Sequence, residues 1–192
     1  ALPDLMSLFL PQRTADVLPR APLGPVPQQG TEEFELLFQT SAHGIGLVGH
    51  CELCFDGRTL TYGAYDPAHQ RLLRTAGAGI VFSAPREPYL RWCIGTHHRR
   101  VISYSLCLPP AQAAQLRAEL ERFRQTLSPW QPEALPEDCF AGRLRRLGGV
   151  RFWRVQRGPY ATYFIPTINC VSLTNELLEK TDIGRTVMLG LK

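Results

Sequence analysis

The segment 45–65 places the strongest constraint on the fold, because it has the pattern of a β-hairpin. In its first half apolar side chains form one face of a strand, namely Leu47, Cys51, Leu53 and Phe55. Asp56-Gly57 follows, a dipeptide typical of tight turns between paired strands. Residues 59–65 then return as a second strand. The sequence therefore predicts an antiparallel pair at this point.

Other segments indicate more strands and two principal helices. Strand patterns recur at 34–38, 100–108, 150–156 and 160–165, with a last strand expected at 185–191. A helix is expected from 110 to about 127, because prolines suit its first turn and one stripe carries Leu116, Leu120, Phe123 and Leu127. A shorter helix is expected over 170–180, with a Pro-rich loop over 128–141 between the two. Antiparallel strands with two helices imply an α+β fold.

The chain is long enough for one domain with an arm in front of it. Residues 1–30 contain six prolines and predict an extended, semi-rigid arm, and residues 31–192 are expected to form the domain. With 44% hydrophobic residues the chain can bury a core, and no apolar run approaches the ~18–20 residues of a membrane span. The first residue is Ala, which fits either a removed leader or a chain boundary.

The net charge is +4, and almost all of the basic residues are arginine. The densest cluster contains Arg143, Arg145, Arg146, Arg151, Arg154 and Arg157. Phe152 and Trp153 within it would suit nucleic-acid stacking, but the alternation over 151–155 is more typical of a strand with a solvated face. No nucleic-acid partner is therefore predicted, whereas an acidic polymer or an anionic membrane surface would suit this charge.

The six cysteines suggest neither a disulfide framework nor a metal site. A chain of this size does not need disulfides, and Cys51, Cys93 and Cys107 lie in apolar stretches that favour burial. Cys51 and Cys54 would face opposite ways on a strand, and no second Cys-x-x-Cys supplies the remaining ligands of a zinc site. Redox pairs usually begin a helix, unlike this pair. No metal and no cofactor are predicted.

Cys170 is the candidate nucleophile because it begins a helix. The free N–H groups and partial positive charge of a helix start favour the thiolate, and Asn169 is a good N-cap residue. His50 is the candidate base, on a strand beside Gly49, whose missing side chain leaves room for a substrate; His43 is the alternative. A thiolate with a histidine alongside suffices for acyl transfer, with the backbone N–H of Cys170 as oxyanion donor.

These motifs together resemble a known family. The segments are Gly-His-Cys-Glu-Leu-Cys at 49–54, Tyr-Gly-Ala-Tyr-Asp at 62–66, and Tyr163 with Asn169-Cys170. In this order they resemble the circularly permuted papain-like cysteine hydrolases, relatives of the bacterial NlpC-type cell-wall peptidases and of the lecithin:retinol acyltransferase group. The likeness is greatest to an exported bacterial subgroup. In permuted members the histidine strand precedes the cysteine helix.

The resemblance implies a papain-like core, in which an antiparallel sheet packs against the nucleophile helix and one further long helix. It implies Cys170 as nucleophile, His50 as general base and no cofactor. The group that orients the imidazole stays open: Asp66 is preferred, Tyr62 is an alternative, and Glu52 shares the face of His50 but projects about 7 Å away. Asn169, Tyr62 and Gly49 are the expected substrate-binding residues.

The function expected from this resemblance is a secreted or periplasmic cysteine hydrolase that cleaves amide bonds in peptidoglycan peptides through an acyl-enzyme. Related domains also serve as antibacterial toxins, so a secreted effector with an inhibitor or immunity protein as partner is a further expectation. The alternatives are a lipid or thioester acyl hydrolase or acyltransferase, and a non-catalytic binding module in which the arm and the arginines dock a partner. The sequence leaves the oligomeric state open.

Overall fold

A computed structural model describes residues 30–40, 49–72, 75–131 and 135–183. Nine strands and four helices lie within these ranges, so the fold is mixed α+β. The strands are β1 (Glu32–Thr40), β2 (His50–Phe55), β3 (Arg58–Gly63), β4 (Ala76–Ala78), β5 (Ile80–Pro85), β6 (Arg100–Leu108), β7 (Leu127–Pro129), β8 (Arg151–Val155) and β9 (Thr162–Phe164). The helices are α1 (Arg86–Gly95), α2 (Pro110–Gln125), α3 (Phe140–Arg145) and α4 (Cys170–Glu179).

Seven of the strands form one large antiparallel sheet. Its order is β6-β1-β2-β3-β5-β8-β7, while β4 and β9 pair separately. The register of β1 and β2 sets Gln39 opposite His50 and Leu37 opposite Glu52. Because side chains alternate between the two faces of a sheet, these four residues share one face.

Helices cover both faces of the sheet. Alternate apolar residues of the central strands pack with α2 and α4 in one core, which includes Phe34, Leu36, Leu53, Leu116, Leu173 and Leu177. The intervening positions of β5 pack with α1 and α3 in a second core, which includes Phe82, Ala84, Tyr89, Trp92 and Leu144. Successive side chains of β5 point to opposite faces of the sheet, so Val81 belongs to the first core and Phe82 to the second.

Most of the expected elements are confirmed. The hairpin is β2 with β3, the strand patterns correspond to β1, β6, β8 and β9, and the two helices are α2 and α4. Helix α2 ends at Gln125, and Leu127 belongs to β7. The arm 1–29, the segment 45–48 and the last strand at 185–191 lie outside the described residues.

Strands β4 and β5 and helix α1 appear where the sequence analysis made no prediction, whereas β7 and α3 lie at the two ends of the segment that it expected to be a loop. Helix α1 follows Pro85, which offers no side-chain cap, and its buried residues are only Tyr89, Trp92 and Cys93. Helix α3 has only six residues and begins inside the expected loop 128–141. Neither helix has the long apolar stripe by which amphipathic helices are recognised. In the described part of the chain, no helix is long and apolar enough to cross a membrane.

Candidate active site

Strand β2 and helix α4 bring Cys170 and His50 into contact. The backbone N–H of Cys51 donates a hydrogen bond to Cys170 Sγ, with an N···S distance of 3.4 Å. The imidazole of His50, one residue earlier on the strand, is hydrogen-bonded to the same thiol. The two residues that the sequence analysis selected from distant segments are therefore neighbours in the fold.

The two groups shift each other's pKa in opposite directions. Burial raises the pKa of the Cys170 thiol, but the hydrogen bond and the positive charge of His50, with the amides of Cys51 and Val171, bring it below the ordinary value. Burial lowers the pKa of His50, but hydrogen bonds and negative charge from Cys170 and Glu52 raise it to about 9. Both shifts favour a thiolate–imidazolium pair at neutral pH.

Asn169 caps the helix that carries the nucleophile. Its Oδ1 accepts hydrogen bonds from the amides of Val171 (2.9 Å) and Ser172 (3.1 Å), and its Nδ2 donates to the carbonyl of Ile165 at 2.7 Å. Ser172 Oγ completes the capping box by accepting from the backbone N–H of Asn169. Three of the four hydrogen-bonding positions of the Asn169 side chain are thus used within its own segment, so the side chain caps α4, and its expected role in binding substrate stays a prediction.

Capping leaves one first-turn amide for an oxyanion. The amides of Val171 and Ser172 bond to Asn169, whereas the backbone N–H of Cys170 has no acceptor among the described residues. This amide belongs to the nucleophile itself and points out of the helix start, where peptide N–H groups lack helical partners. It is the donor expected from the sequence, and its position suits a negatively charged oxygen on a carbon bonded to Sγ.

Glu52 is the carboxylate that meets the imidazole. Its Oε1 lies 3.4 Å from His50 Nε2, and the Tyr65 hydroxyl oxygen lies 3.1 Å from the same nitrogen. The sequence analysis set Glu52 aside because residues two apart on a strand project about 7 Å from each other. The imidazole and the three-carbon glutamate side chain are long enough to close that gap by leaning toward each other.

A hydrogen-bond network holds the buried charge of Glu52, whose residue is only 1% exposed. The Tyr89 hydroxyl donates to Oε1, and Gln39 Nε2 donates to Oε2 at 2.8 Å. Arg99 Nη1 in turn donates to Gln39 Oε1 at 2.9 Å. A buried carboxylate with this many donors keeps a fixed position, and it therefore fixes the ring that it contacts.

Asp66, the preferred third group, lies in a different cluster. Its Oδ1 accepts from the backbone N–H of Ala68 at 3.1 Å, and its Oδ2 contacts His69 Nδ1 at 2.8 Å and Arg154. The cause is local, because Asp66 caps a short 3-10 turn at Pro67–His69 that turns its carboxylate away from β2. The prediction that Asp66 orients His50 is therefore replaced by Glu52.

Tyr62 and Gly49 also differ from the expectation that they bind substrate. Tyr62 is buried, its hydroxyl donates to the carbonyl of Tyr160 at 2.9 Å, and its ring meets those of Tyr160 and Tyr163, so it is a core residue. Gly49 is exposed, but an added Cβ would approach the Gln39 carbonyl at 3.2 Å. The space at Gly49 therefore accommodates strand β1.

The Tyr65 hydroxyl reaches His50, whereas the Tyr62 hydroxyl bonds elsewhere. Gly63, two residues before Tyr65 in the hairpin motif, makes this possible, because a Cβ there would lie 2.7 Å from the Tyr65 ring. Burial and the negative charges of Glu52 and Cys170 raise the pKa of the Tyr65 hydroxyl well above its usual value, so it stays neutral beside His50. The sequence analysis placed Tyr65 in the motif and assigned it no role.

The Cys170 thiol is buried, but exposed residues adjoin it and His50 in the sequence. Cys170 is 4% exposed and the His50 side chain 17% exposed, while Gly49 and Val171 on either side are exposed. All six cysteines are free, so no disulfide blocks the sulfur. His43, the alternative base, lies outside the described residues.

Within the described ranges, no group of three or more His, Cys, Asp or Glu residues could hold a metal ion. Comparisons with protein-family models, with curated proteins and with solved structures found no match. The chemistry of the candidate site is therefore read from its geometry. That geometry is an activated thiol, a histidine with its carboxylate, and an amide at a helix start, which together suit nucleophilic acyl transfer.

Proposed function

We propose that this chain is a cysteine hydrolase with a permuted papain-like core. One observation supports this most strongly: Cys170 Sγ accepts from the Cys51 amide and interacts with the His50 imidazole, and the Glu52 carboxylate lies 3.4 Å from Nε2 of that imidazole. A buried structural cysteine needs neither a raised histidine pKa nor a charged group behind the histidine. The order along the chain, histidine strand before cysteine helix, is that of the permuted proteins it resembles.

The reaction follows from these positions. The Cys170 thiolate attacks the carbonyl carbon of an amide, and the carbonyl oxygen becomes an oxyanion that accepts a hydrogen bond from the Cys170 N–H. The His50 imidazolium gives its proton to the departing amine, so the C–N bond breaks and a thioester forms. Neutral His50 then takes a proton from water, whose oxygen attacks the thioester. The acid leaves, and the thiolate–imidazolium pair is restored.

The proposed substrate is an amide bond in a peptidoglycan peptide, and the proposed place of action is the periplasm or the outside of a bacterial cell. Both come from the family resemblance, as does the proposal of a secreted antibacterial effector with an inhibitor partner. A lipid or thioester acyl group is the alternative within the same chemistry. The site suits either, because the dyad acts on any acyl carbon with a suitable leaving group.

A non-catalytic binding module is the contrasting class, and the small exposure of Cys170 is the observation that favours it. Working thiols are usually accessible to solvent, whereas buried structural cysteines are inert. The two classes therefore differ in one measurable property, which is the reactivity of a single sulfur.

The test is the pH dependence of iodoacetamide labelling, with each adduct located by mass. We expect Cys170 to label fastest, and to label at pH values well below the pKa of about 8.5 of a free thiol. We expect His50→Ala to move this pH profile to higher pH. The half-buried Cys107 and Cys139 are reference thiols in the same digest. Labelling of Cys170 no faster than these two, or a profile that ignores His50→Ala, would favour the binding module.

Substrate assignment uses purified sacculi and phospholipid vesicles, with Cys170→Ser as the inactive control. Release of peptide fragments or of free amines from sacculi is expected. Release of fatty acid from vesicles, with intact sacculi, would support the acyl-lipid alternative.

A further inference from the structure

Arg99 borders the candidate active site on the side of α1, and Arg143 lies nearly one helical turn after Phe140 on α3. Arg99, which follows α1, donates from Nη1 to Gln39 Oε1 at 2.9 Å, and Gln39 is the residue opposite His50 in the sheet. Arg143 lies on α3. We refer to Arg99 and Arg143 together as the arginine rim.

An aromatic ring connects the arginine rim to the reacting groups. Phe140 stacks on Tyr65 with ring centroids 5.0 Å apart and planes 16° from parallel, and Arg99 Cζ lies 5.7 Å from the centroid of Phe140. Tyr65 in turn contacts His50 Nε2. Arg143 follows Phe140 by three residues on α3, so both lie on the same face of that helix.

In the described part of the chain, no acidic side chain neutralises the charge of the arginine rim. Among the described residues, no carboxylate forms an ion pair with Arg99 or Arg143, and the Glu52 carboxylate is taken by His50, Tyr89 and Gln39. Other arginines of the fold differ: Arg86 pairs with Glu35, Arg117 with Asp56, and Arg154 with Asp66.

His97, a histidine near the arginine rim, adds no negative charge that would offset the two arginines. His97 packs between Trp92 and Phe140, with ring centroids 4.1 and 5.9 Å away. Its Nε2 is buried and has no hydrogen-bond partner within the described residues. Burial, followed by the charges of Arg143, Arg99 and His98, lowers the pKa of His97, which places both rim arginines in its electrostatic surroundings.

We propose that the arginine rim is a subsite for an anionic group, a carboxylate or a phosphate ester, carried by the substrate beside its scissile acyl bond. This inference rests on the proposed hydrolase function. Guanidinium groups bind both anions through paired N–H donors, and only Nη1 of Arg99 is committed to Gln39. Such a group on the substrate would dock against Phe140 and set the acyl carbon near Cys170.

The test compares two alkylating reagents that differ in charge. Iodoacetamide is neutral and iodoacetate is an anion; with each, the Cys170 sulfur forms a bond to carbon and iodide leaves. We expect Arg143→Gln to lower the iodoacetate-to-iodoacetamide rate ratio at Cys170 by about threefold or more, because focused positive charge raises the local concentration of anions. Arg99→Gln should lower the ratio in the same direction, with Arg99→Lys between it and wild type.

Arg145→Gln is the matched control. It removes the same charge from the same helix, but position 145 is two residues from 143 and so faces elsewhere. An equal fall in Arg145→Gln, or no fall in Arg143→Gln, would overturn the subsite. This failure differs from failure of the proposed function, in which Cys170 would label slowly with both reagents.

Competition then identifies the anion. Sodium succinate and inorganic phosphate are added at constant ionic strength, so that general screening stays the same. Each anion is tested for how far it slows iodoacetate labelling of Cys170 in wild type and in Arg143→Gln. The anion that slows wild type more than the variant has the chemistry that the subsite binds. If neither slows labelling of wild type, the proposal is contradicted.

Discussion

The Glu52 carboxylate lies 3.4 Å from His50 Nε2, although the two residues are only two positions apart on one strand. The proposed base and the carboxylate that contacts it therefore belong to a single six-residue segment, β2. At these two residues the strand pairs with β1, which sets His50 opposite Gln39 and Glu52 opposite Leu37, whereas β3 pairs only with residues 53–55. Sheet hydrogen bonds thus fix the two residues relative to each other.

Replacing Glu52 with Gln should weaken the dyad. The substitution keeps the shape but removes the negative charge that raises the pKa of His50, so the imidazolium becomes less favourable and the Cys170 thiolate with it. We expect the labelling profile of Cys170 to move to higher pH and hydrolysis to fall by up to ~10²-fold. Labelling kinetics and sacculus digestion measure the two effects.

Asp66→Asn is the comparison for that experiment. Its carboxylate contacts His69 and Arg154 instead of His50, so its loss should affect stability and leave the Cys170 profile in place. If Asp66→Asn moves the profile and Glu52→Gln does not, the assignment of the orienting group is wrong.

The pH dependence of labelling and that of turnover should differ on the alkaline side. The thiolate forms as the pH rises through the lowered pKa of Cys170, so both rates rise there. Above about pH 9 His50 loses its proton, so turnover falls because the leaving amine has no acid, while the thiolate persists and labelling continues. Stopped assays across pH 5–11 check this; a parallel fall of both rates would point to unfolding.

Asn169→Ala should destabilise the protein by about 1 kcal/mol, because two first-turn amides lose their acceptor. We also expect slower labelling of Cys170, whose position depends on where α4 begins. Asn169→Ser supplies another capping oxygen and should retain most of the stability. Urea unfolding measures the difference, and unchanged stability in Asn169→Ala with a raised KM would support a role in binding substrate.

Gly63→Ala should disturb the active site through Tyr65. The added methyl would lie 2.7 Å from the Tyr65 ring, which must then move away from His50 Nε2. Tyr65→Phe removes the same hydroxyl contact without crowding. If both act through that contact, the double variant should label no more slowly than the worse single variant. Additive losses in the double variant would mean that Gly63 acts elsewhere, for instance on folding.

The elements that carry Cys170 and His50 could be predicted from sequence because each has a strong local pattern. Asn169 before an apolar-periodic segment indicates a helix start, and the alternation around Asp56-Gly57 indicates a hairpin. Both patterns depend on hydrogen bonds within a few residues. The pairing of Cys170 with His50 came instead from the family resemblance, because local patterns do not fix which elements pack together.

The groups around the pair were harder to predict because they depend on side-chain reach and on non-local pairing. Glu52 contacts His50 through the length of two side chains, which backbone spacing does not describe. Gln39 reaches Glu52 from β1, and Tyr89 reaches it from α1. Helix α1 has neither a capping side chain nor a long apolar stripe, so the sequence does not indicate that a helix lies there. Asp66 looked suitable because it ends the paired strand, but a short turn redirects it.

His50 and Cys51 are consecutive residues, so the base and the amide that bonds the sulfur move as one unit. Any displacement of β2 along the sheet shifts both together, and their mutual alignment survives it. Cys170 belongs to another element, α4, which packs on β2 and β3. The motion that would separate sulfur from imidazole is therefore a displacement of α4 relative to β2, which the packing of α4 against β2, β3 and α2 opposes.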